Sequence, residues 1–442
     1  MRRIAKQLSS SQIIILGFAS VILAGSLLLM LPFSTQDGRG AIFTDALFTA
    51  TSAVCVTGLV VQDTATYWST FGHMVIISLI QIGGMGVVTI SIAISKASGK
   101  QISLKQRSTM QEAISAHQVG GIVELTGFII KMTVIIELLG ALIMAPTFCR
   151  EFGFFKGLWY ALFHSISAFC NAGFDLMGEK AAFSSLTHYV NDPIINFAIM
   201  ALIITGGIGF MTWEDIKKNK HHIRKYRMQS KVIFTTTALL IIIPALYFFF
   251  FEFGDKPLGE RILSSLFQSV TPRTAGFNTS DLTLISQTGT AITIILMIIG
   301  GSPGSTAGGM KTTTLAVLFS TALSVFRRRE HTHFFRRRVT DEAIRNAATI
   351  LIMYLVLFLT GGFLISRIEG LPLLSCLYET ASAVGTVGLT LGITTDLGIA
   401  SQVILIMLMY TGRVGGLTLI FSALSAKQGN TARLPQEKLT VG

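Results

Sequence analysis

Long apolar runs alternate with short, glycine-rich interruptions along the 442 residues. Runs near 11–32, 71–95, 121–146, 192–213, 231–253, 284–325, 343–366 and 399–424 each supply the roughly 20 apolar residues that cross a bilayer as a helix. The sixth is too long for one span and is interrupted by Gly, Ser and Pro. Between the members of each successive pair lies a shorter apolar stretch, at 46–59, 161–174, 265–277 and 376–389. About 12 helical residues reach only ~18 Å, so each short stretch should enter the membrane and turn back rather than cross it.

The short stretches resemble one another and end on a glycine turn. They close as Val56-Thr57-Gly58-Leu59, Asn171-Ala172-Gly173-Phe174, Thr274-Ala275-Gly276-Phe277 and Thr386-Val387-Gly388-Leu389, the third stretch being one residue shorter. Their glycines are 115, 103 and 112 residues apart. A second glycine motif follows 24 to 33 residues later in every copy, as Gly83-Gly84-Met85-Gly86, Gly206-Gly207-Ile208-Gly209, Gly300-Gly301-Ser302-Pro303-Gly304 and Gly412-Arg413-Val414-Gly415. Two motifs in register define a fourfold repeat. The predicted fold is an all-α polytopic membrane protein: four tandem span, pore helix, span units around one central pore, with boundaries at 1–97, 98–220, 221–332 and 333–442.

Four half-length helices around one axis would aim their partially negative C-terminal ends at a common centre. Glycine permits the positive φ that turns carbonyls inward, and rings of peptide carbonyls can replace the water shell of an alkali cation. The 16 residues of the four closing quartets are therefore the candidate cation-binding residues. A magnesium or calcium site would want clustered carboxylates, and these stretches supply only Glu379. Close helix packing is the competing explanation for the second motif.

Composition agrees with this reading. Apolar residues make up 51% of the chain and charged residues 13%, about half the charged fraction of a soluble domain, which excludes an ordinary soluble enzyme. The net charge of +12 is sorted along the chain rather than gathered for a nucleic acid: 24 of the 35 Lys and Arg fall in alternate loops and tails, against eight in the opposite set. By the positive-inside rule both termini are cytoplasmic. The first apolar run is too long for a signal-peptide core and is read as a retained span. Cys55, Cys149, Cys170 and Cys376 lack metal or redox spacing and are read as small buried residues.

Two features violate the rule that spans are apolar and helical. Arg413 occupies mid-span, where a charge costs at least about 2.5–3.5 kcal/mol and marks a functional residue; beneath the glycine turns it would act as a positive barrier, unless it pairs with a carboxylate such as Glu137. The sixth run carries Gly304, Ser305, Thr306, Ala307, Gly308, Gly309 and Lys311, a stretch with Pro303 before it that cannot hold a helix. A flexible loop there is a candidate gate. Gly300-Gly301-Ser302-Pro303-Gly304 also matches the serine-nucleophile pattern, but no strand precedes it and His164 lies on the other side of the bilayer.

The fourfold pattern, the four turn glycines, the broken sixth run and Arg413 together resemble the Trk/Ktr/HKT potassium transporter superfamily, and within it the Ktr membrane subunit, since no extra spans precede the first repeat. Glycine at all four turns is similar to the potassium-selective members. The resemblance implies a potassium uptake pore with a carbonyl selectivity filter and an intramembrane gating loop. It further implies a homodimer in a bacterial inner membrane, a cytoplasmic ring of RCK subunits carrying ATP or ADP, and sodium stimulation, with no cofactor in this chain besides K+ in the filter. The alternative is a proton- or sodium-coupled secondary transporter, which would be expected to place protonatable carboxylates at its site.

Overall fold

A computed structural model describes residues 9–98, 101–114 and 120–415. The basic residues before Ser9 and the continuation of the last span, with its basic tail, lie outside these residues. Four long helices open the repeats: Ser10–Leu29, Ile122–Phe152, Met228–Tyr247 and Asp341–Glu369. Local chemistry sets their starts. Ser9 and Gln12 form a reciprocal cap, and Thr340 accepts from the Ala343 amide while Asp341 and Glu342 sit in the first turn, where the helix dipole favours acids. Pro244 removes a backbone donor near the end of the third, which then loosens into a π turn over Phe248–Glu252. Only about a third of each helix's most apolar window is buried, 28 to 33%, and residues such as Leu27, Leu142, Ile243 and Phe363 are exposed. That outer surface is a solvent match for hydrocarbon and not for water.

Each long helix is followed by a short one, Phe43–Val54, Phe154–Phe169, Leu258–Val270 or Leu373–Gly385. These have 12, 16, 13 and 13 residues, too few to span roughly 30 Å of hydrocarbon. Their inner halves are almost wholly buried. A two-stranded hairpin, His333–Phe334 with Arg337–Arg338, joins the third repeat to the fourth within a basic loop.

The second segment of each repeat corrects the expectation of straight spans interrupted only at the sixth. Thr70–Met85 and Val87–Ala97 meet at 96°, and Pro193–Gly207 and Phe210–Asn219 at 95°. The third runs Gln287–Ile298, a loop, then Thr312–Phe326, and the fourth, Ile399–Val414, stops at Gly415. The two bends fall on the last glycine of the second motif, at Gly86 (φ 87, ψ 134) and Gly209 (φ 91, ψ 141), and Gly415, the equivalent glycine of the fourth repeat and the last described residue, has nearly the same dihedrals (φ 89, ψ 130). Only glycine adopts that backbone region without strain. The first glycine of the motif serves packing. A β-carbon on Gly83, Gly206 or Gly412 would lie 2.0, 2.0 or 2.1 Å from the carbonyl oxygen of Val54, Phe169 or Val384, the inner ends of the short helices.

These two roles are separable by mutation. A β-carbon on Gly86 meets nothing nearer than the Thr89 hydroxyl at 3.7 Å, so Gly86→Ala tests the dihedral alone and should cost about 1–3 kcal/mol, read as a lower unfolding temperature in detergent. Gly120→Ala, with open space around it and no positive φ, should be neutral.

Candidate ion pathway

The four turn glycines form a closed ring. A β-carbon on Gly58 would lie 2.5 Å from the Ala172 oxygen and 3.0 Å from the Gly173 α-carbon; one on Gly173 meets the Ala275 oxygen and Gly276 at 2.8 and 2.9 Å. One on Gly276 meets the Val387 oxygen at 2.4 Å, and one on Gly388 meets the Thr57 oxygen at 2.1 Å and Gly58 at 2.9 Å. Neighbour therefore follows neighbour in repeat order, and repeats one and three, like two and four, lie diagonally opposed. The backbone repeats a pattern at each corner. Val56, Asn171, Thr274 and Thr386 have φ of 51, 57, 66 and 53°, and the glycine two residues on has φ of 88, 69, 80 and 93°. Alternation of left-handed residues with ordinary ones points successive carbonyls to one side, which isolated turns do not do. All 16 predicted residues lie in these four turns, and each is buried.

The turns are braced by hydroxyls that the sequence reading overlooked. The amides of Gly58 and Gly388 each donate to a serine hydroxyl of the preceding short helix, Ser52 and Ser382, at 3.0 Å. In the other two repeats the hydroxyl donates instead: Ser167 to the Phe174 carbonyl at 2.7 Å, and Thr271 to the Phe277 carbonyl. In repeats one, two and four the serine stands six residues before the turn glycine, a register visible in the aligned stretches. The third repeat absorbs its missing residue here. Its closure is Ala275 amide to Thr271 carbonyl, 3.0 Å, where the others bond five residues back at 2.8 Å.

The broken sixth run folds into a loop, closed at its base by the Gly300 amide on the Met310 carbonyl, 2.7 Å, and the Thr312 amide on the Gly301 carbonyl, 3.0 Å. The Thr306 hydroxyl makes 3.0 Å contacts with both the Phe169 carbonyl and the Asn171 side-chain oxygen. A β-carbon on Gly308 would strike the Thr386 hydroxyl at 2.2 Å, and one on Gly309 the Gly385 oxygen at 2.9 Å. Because the second and fourth repeats are diagonal, a loop that touches both lies across the axis, just below the ring.

Two cations hold that loop by its carbonyls. Arg413 donates to the Thr306 and Gly83 oxygens and, at 3.1 Å, to Gly84. Lys311 donates to Ala307 at 2.9 Å and Gly308 at 3.2 Å. Ser305 and Gly304 face the same cavity of about 300 Å³ beneath the ring, and the Gly304 carbonyl accepts from the Phe210 amide at 2.7 Å. All eight predicted gate residues thus converge on one place. Arg413 finds backbone oxygens rather than the carboxylate that was weighed as its partner: Glu137 is instead buried behind the second short helix, with the Gln81 amide at 3.2 Å. Glu379 accepts from the Thr390 and Thr394 hydroxyls at 2.5 and 2.7 Å and the Leu391 amide at 3.2 Å, tying the fourth short helix to the chain that leaves its turn.

Other singled-out groups have structural work. Ser302 pairs with the Thr312 hydroxyl at 3.1 Å, and His164 with the Tyr160 carbonyl at 2.7 Å and the Leu176 amide at 3.3 Å. Three cysteines are buried as expected; Cys149 is only half-buried, its thiol on the Phe154 carbonyl.

Residues 6–433 match the profile of the TrkH family, described as cation transport protein. The chain is 40% identical to the potassium/sodium uptake protein NtpJ of Enterococcus hirae, covering all of this chain and 99% of that one. It is 39% identical to the Ktr system potassium uptake protein B of Bacillus subtilis, over 98% of this chain and 96% of the relative. The crystal structure of the potassium transporter TrkH from Vibrio parahaemolyticus superposes with a TM-score of 0.73 over 93% of this chain and 84% of that one at 20% identity, a likeness of fold. These relatives are named for transport, not for catalysis, and a profile matched over almost the full length, with glycine turns gathered on one axis inside a lipid-facing shell, makes this multi-pass membrane protein a member of the TrkH family of cation transport proteins.

Proposed function

We propose that the chain is the membrane subunit of a potassium uptake system, a pore through which K+ enters down its electrochemical gradient. The observation that carries this is the closed ring of Gly58, Gly173, Gly276 and Gly388. Their backbone alternation supplies carbonyl oxygens, and no carboxylate is needed to compensate a dehydrated monovalent cation. An inside-negative potential contributes about 2.3 kcal/mol per charge per 100 mV, enough to concentrate K+ without ATP hydrolysis by this chain. The relatives from E. hirae and B. subtilis, named for potassium/sodium and potassium uptake, favour K+ as the cargo. In this reading the 16 turn residues form the selectivity filter, the 304–311 loop with Arg413 is the gate, and the four repeats are bounded as the glycine spacing suggests.

The further parts of the proposal are a homodimer in a bacterial cell membrane with cytoplasmic termini, an RCK ring that binds ATP or ADP and acts on the gate, and stimulation by Na+. The basic loops, including the Arg327-Arg328-Arg329 and Arg336-Arg337-Arg338 runs, favour that orientation. Expression in a bacterium lacking potassium uptake, with and without an RCK subunit, is the test. Rescue of growth at low K+ that follows membrane potential supports the pore. Uptake that instead follows an imposed pH or Na+ gradient at fixed potential would favour the coupled transporter.

A further inference from the structure

The four repeats are not electrically equivalent. Three residues before the turn glycine stand Cys55, Cys170, Arg273 and Gly385, so the third corner of the ring alone carries a charge in this column. Arg273 is 4% exposed and two residues past the cap of the third short helix. Its backbone is part of the ring's support, since its carbonyl accepts from the Asn171 amide at 3.4 Å. Among the described residues the guanidinium reaches only the Thr237 hydroxyl, at 3.4 Å, and its Nε has no hydrogen-bond partner. Among the described residues no carboxylate forms an ion pair with it. A buried cation is ordinarily matched by an anion. Here its counterweight is the partially negative end of the third short helix.

The geometry points to Arg273 as a specificity-determining residue that sets a fixed positive charge beside the filter and disfavours divalent cations relative to monovalent ones. The inference rests on the ring being the ion-binding site, as proposed above. Repulsion scales with the charge of the ion, so whatever factor Arg273 imposes on a monovalent cation is squared for a divalent one. At a separation of about 10 Å and an effective dielectric of about 20, the factor is roughly tenfold for K+ or Rb+ and roughly a hundredfold for Ba2+. Weak monovalent binding suits conduction, which requires that ions leave as readily as they enter. Exclusion of divalents by carbonyl geometry alone would fail for Ba2+, whose size is close to that of K+; charge is what separates the two.

The test is Rb+ uptake, and its inhibition by external Ba2+, in cells expressing the full chain. Arg273→Gln should lower the KM for Rb+ about tenfold and the half-inhibitory Ba2+ concentration about a hundredfold, while Arg273→Lys leaves both within about twofold. Thr237→Asp, which brings a carboxylate to the guanidinium with the arginine kept, should move both values in the same direction as Arg273→Gln, and it decides the matter if Arg273→Gln does not reach the membrane. Equal shifts for Rb+ and Ba2+, or no shift in either neutralising variant, would overturn the assignment and leave Arg273 as packing. Failure of Ba2+ to compete with Rb+ even in Arg273→Gln and Thr237→Asp would overturn the ring reading itself, and this inference with it.

Discussion

Serine at Gly388 raises Na+ uptake relative to K+ uptake by about tenfold or more. The reason is the carbonyl it displaces: a β-carbon there would sit 2.1 Å from the Thr57 oxygen, which belongs to the neighbouring turn of the ring. Backbone must move to accept it, and the oxygens that replace a K+ hydration shell lose their spacing. Tenfold in the ratio corresponds to about 1.4 kcal/mol, within the roughly 1–3 kcal/mol that a side chain costs at such a backbone angle. The same clash is graded around the ring, at 2.4 Å for Gly276, 2.5 Å for Gly58 and 2.8 Å for Gly173, so the loss of selectivity should fall in the order Gly388, Gly276, Gly58, Gly173. Competitive Rb+ and Na+ uptake by the four serine variants measures it, and unchanged selectivity at all four would remove the filter assignment.

Arg413→Ala increases K+ flux at saturating K+ by about tenfold. The arginine contributes hydrogen bonds to Thr306 of the loop and to Gly83 and Gly84 of the first repeat, and a bond from a charged donor is worth about 1.5–3 kcal/mol. Its loss frees one anchor of the loop that crosses the axis and removes a positive charge from beneath the ring, two effects of the same sign. Lys311→Ala releases the other anchor and should give a smaller rise. Deletion of residues 304–309 removes the obstruction outright, and flux should then no longer respond to an RCK subunit. Flux unchanged in both Arg413→Ala and the deletion would end the gate proposal.

The ring was legible because the repeat writes it out four times: half-length apolar stretch, then glycine, at a spacing that close packing does not require. The bends were hidden. Hydropathy continues through Gly86, since Val87–Ala97 is nearly as apolar as the helix before it, while the polar run after Gly209 reads as the plain end of a span; periodicity carries no direction. The signal lay in the second motif, whose first glycine packs against a carbonyl while its last turns the chain. Arg413 drew attention by its cost in a bilayer, yet its partners are backbone oxygens of the 304–311 loop and of the helix end before Gly86, and composition cannot name those. The serine braces were missed for a plainer reason: Ser52, Ser167 and Ser382 occur among many small polar residues, and only the six-residue interval to the glycine singles them out.

If the ring is the filter, one K+ is held on the axis by carbonyls of four successive repeats. An experimental structure of the protein in Tl+ or Rb+, with anomalous scattering recorded, tests it directly. The expected result is a peak equidistant from Gly58, Gly173, Gly276 and Gly388. An axis empty of the ion, with the peak beside Glu137 or Glu379 instead, would contradict it.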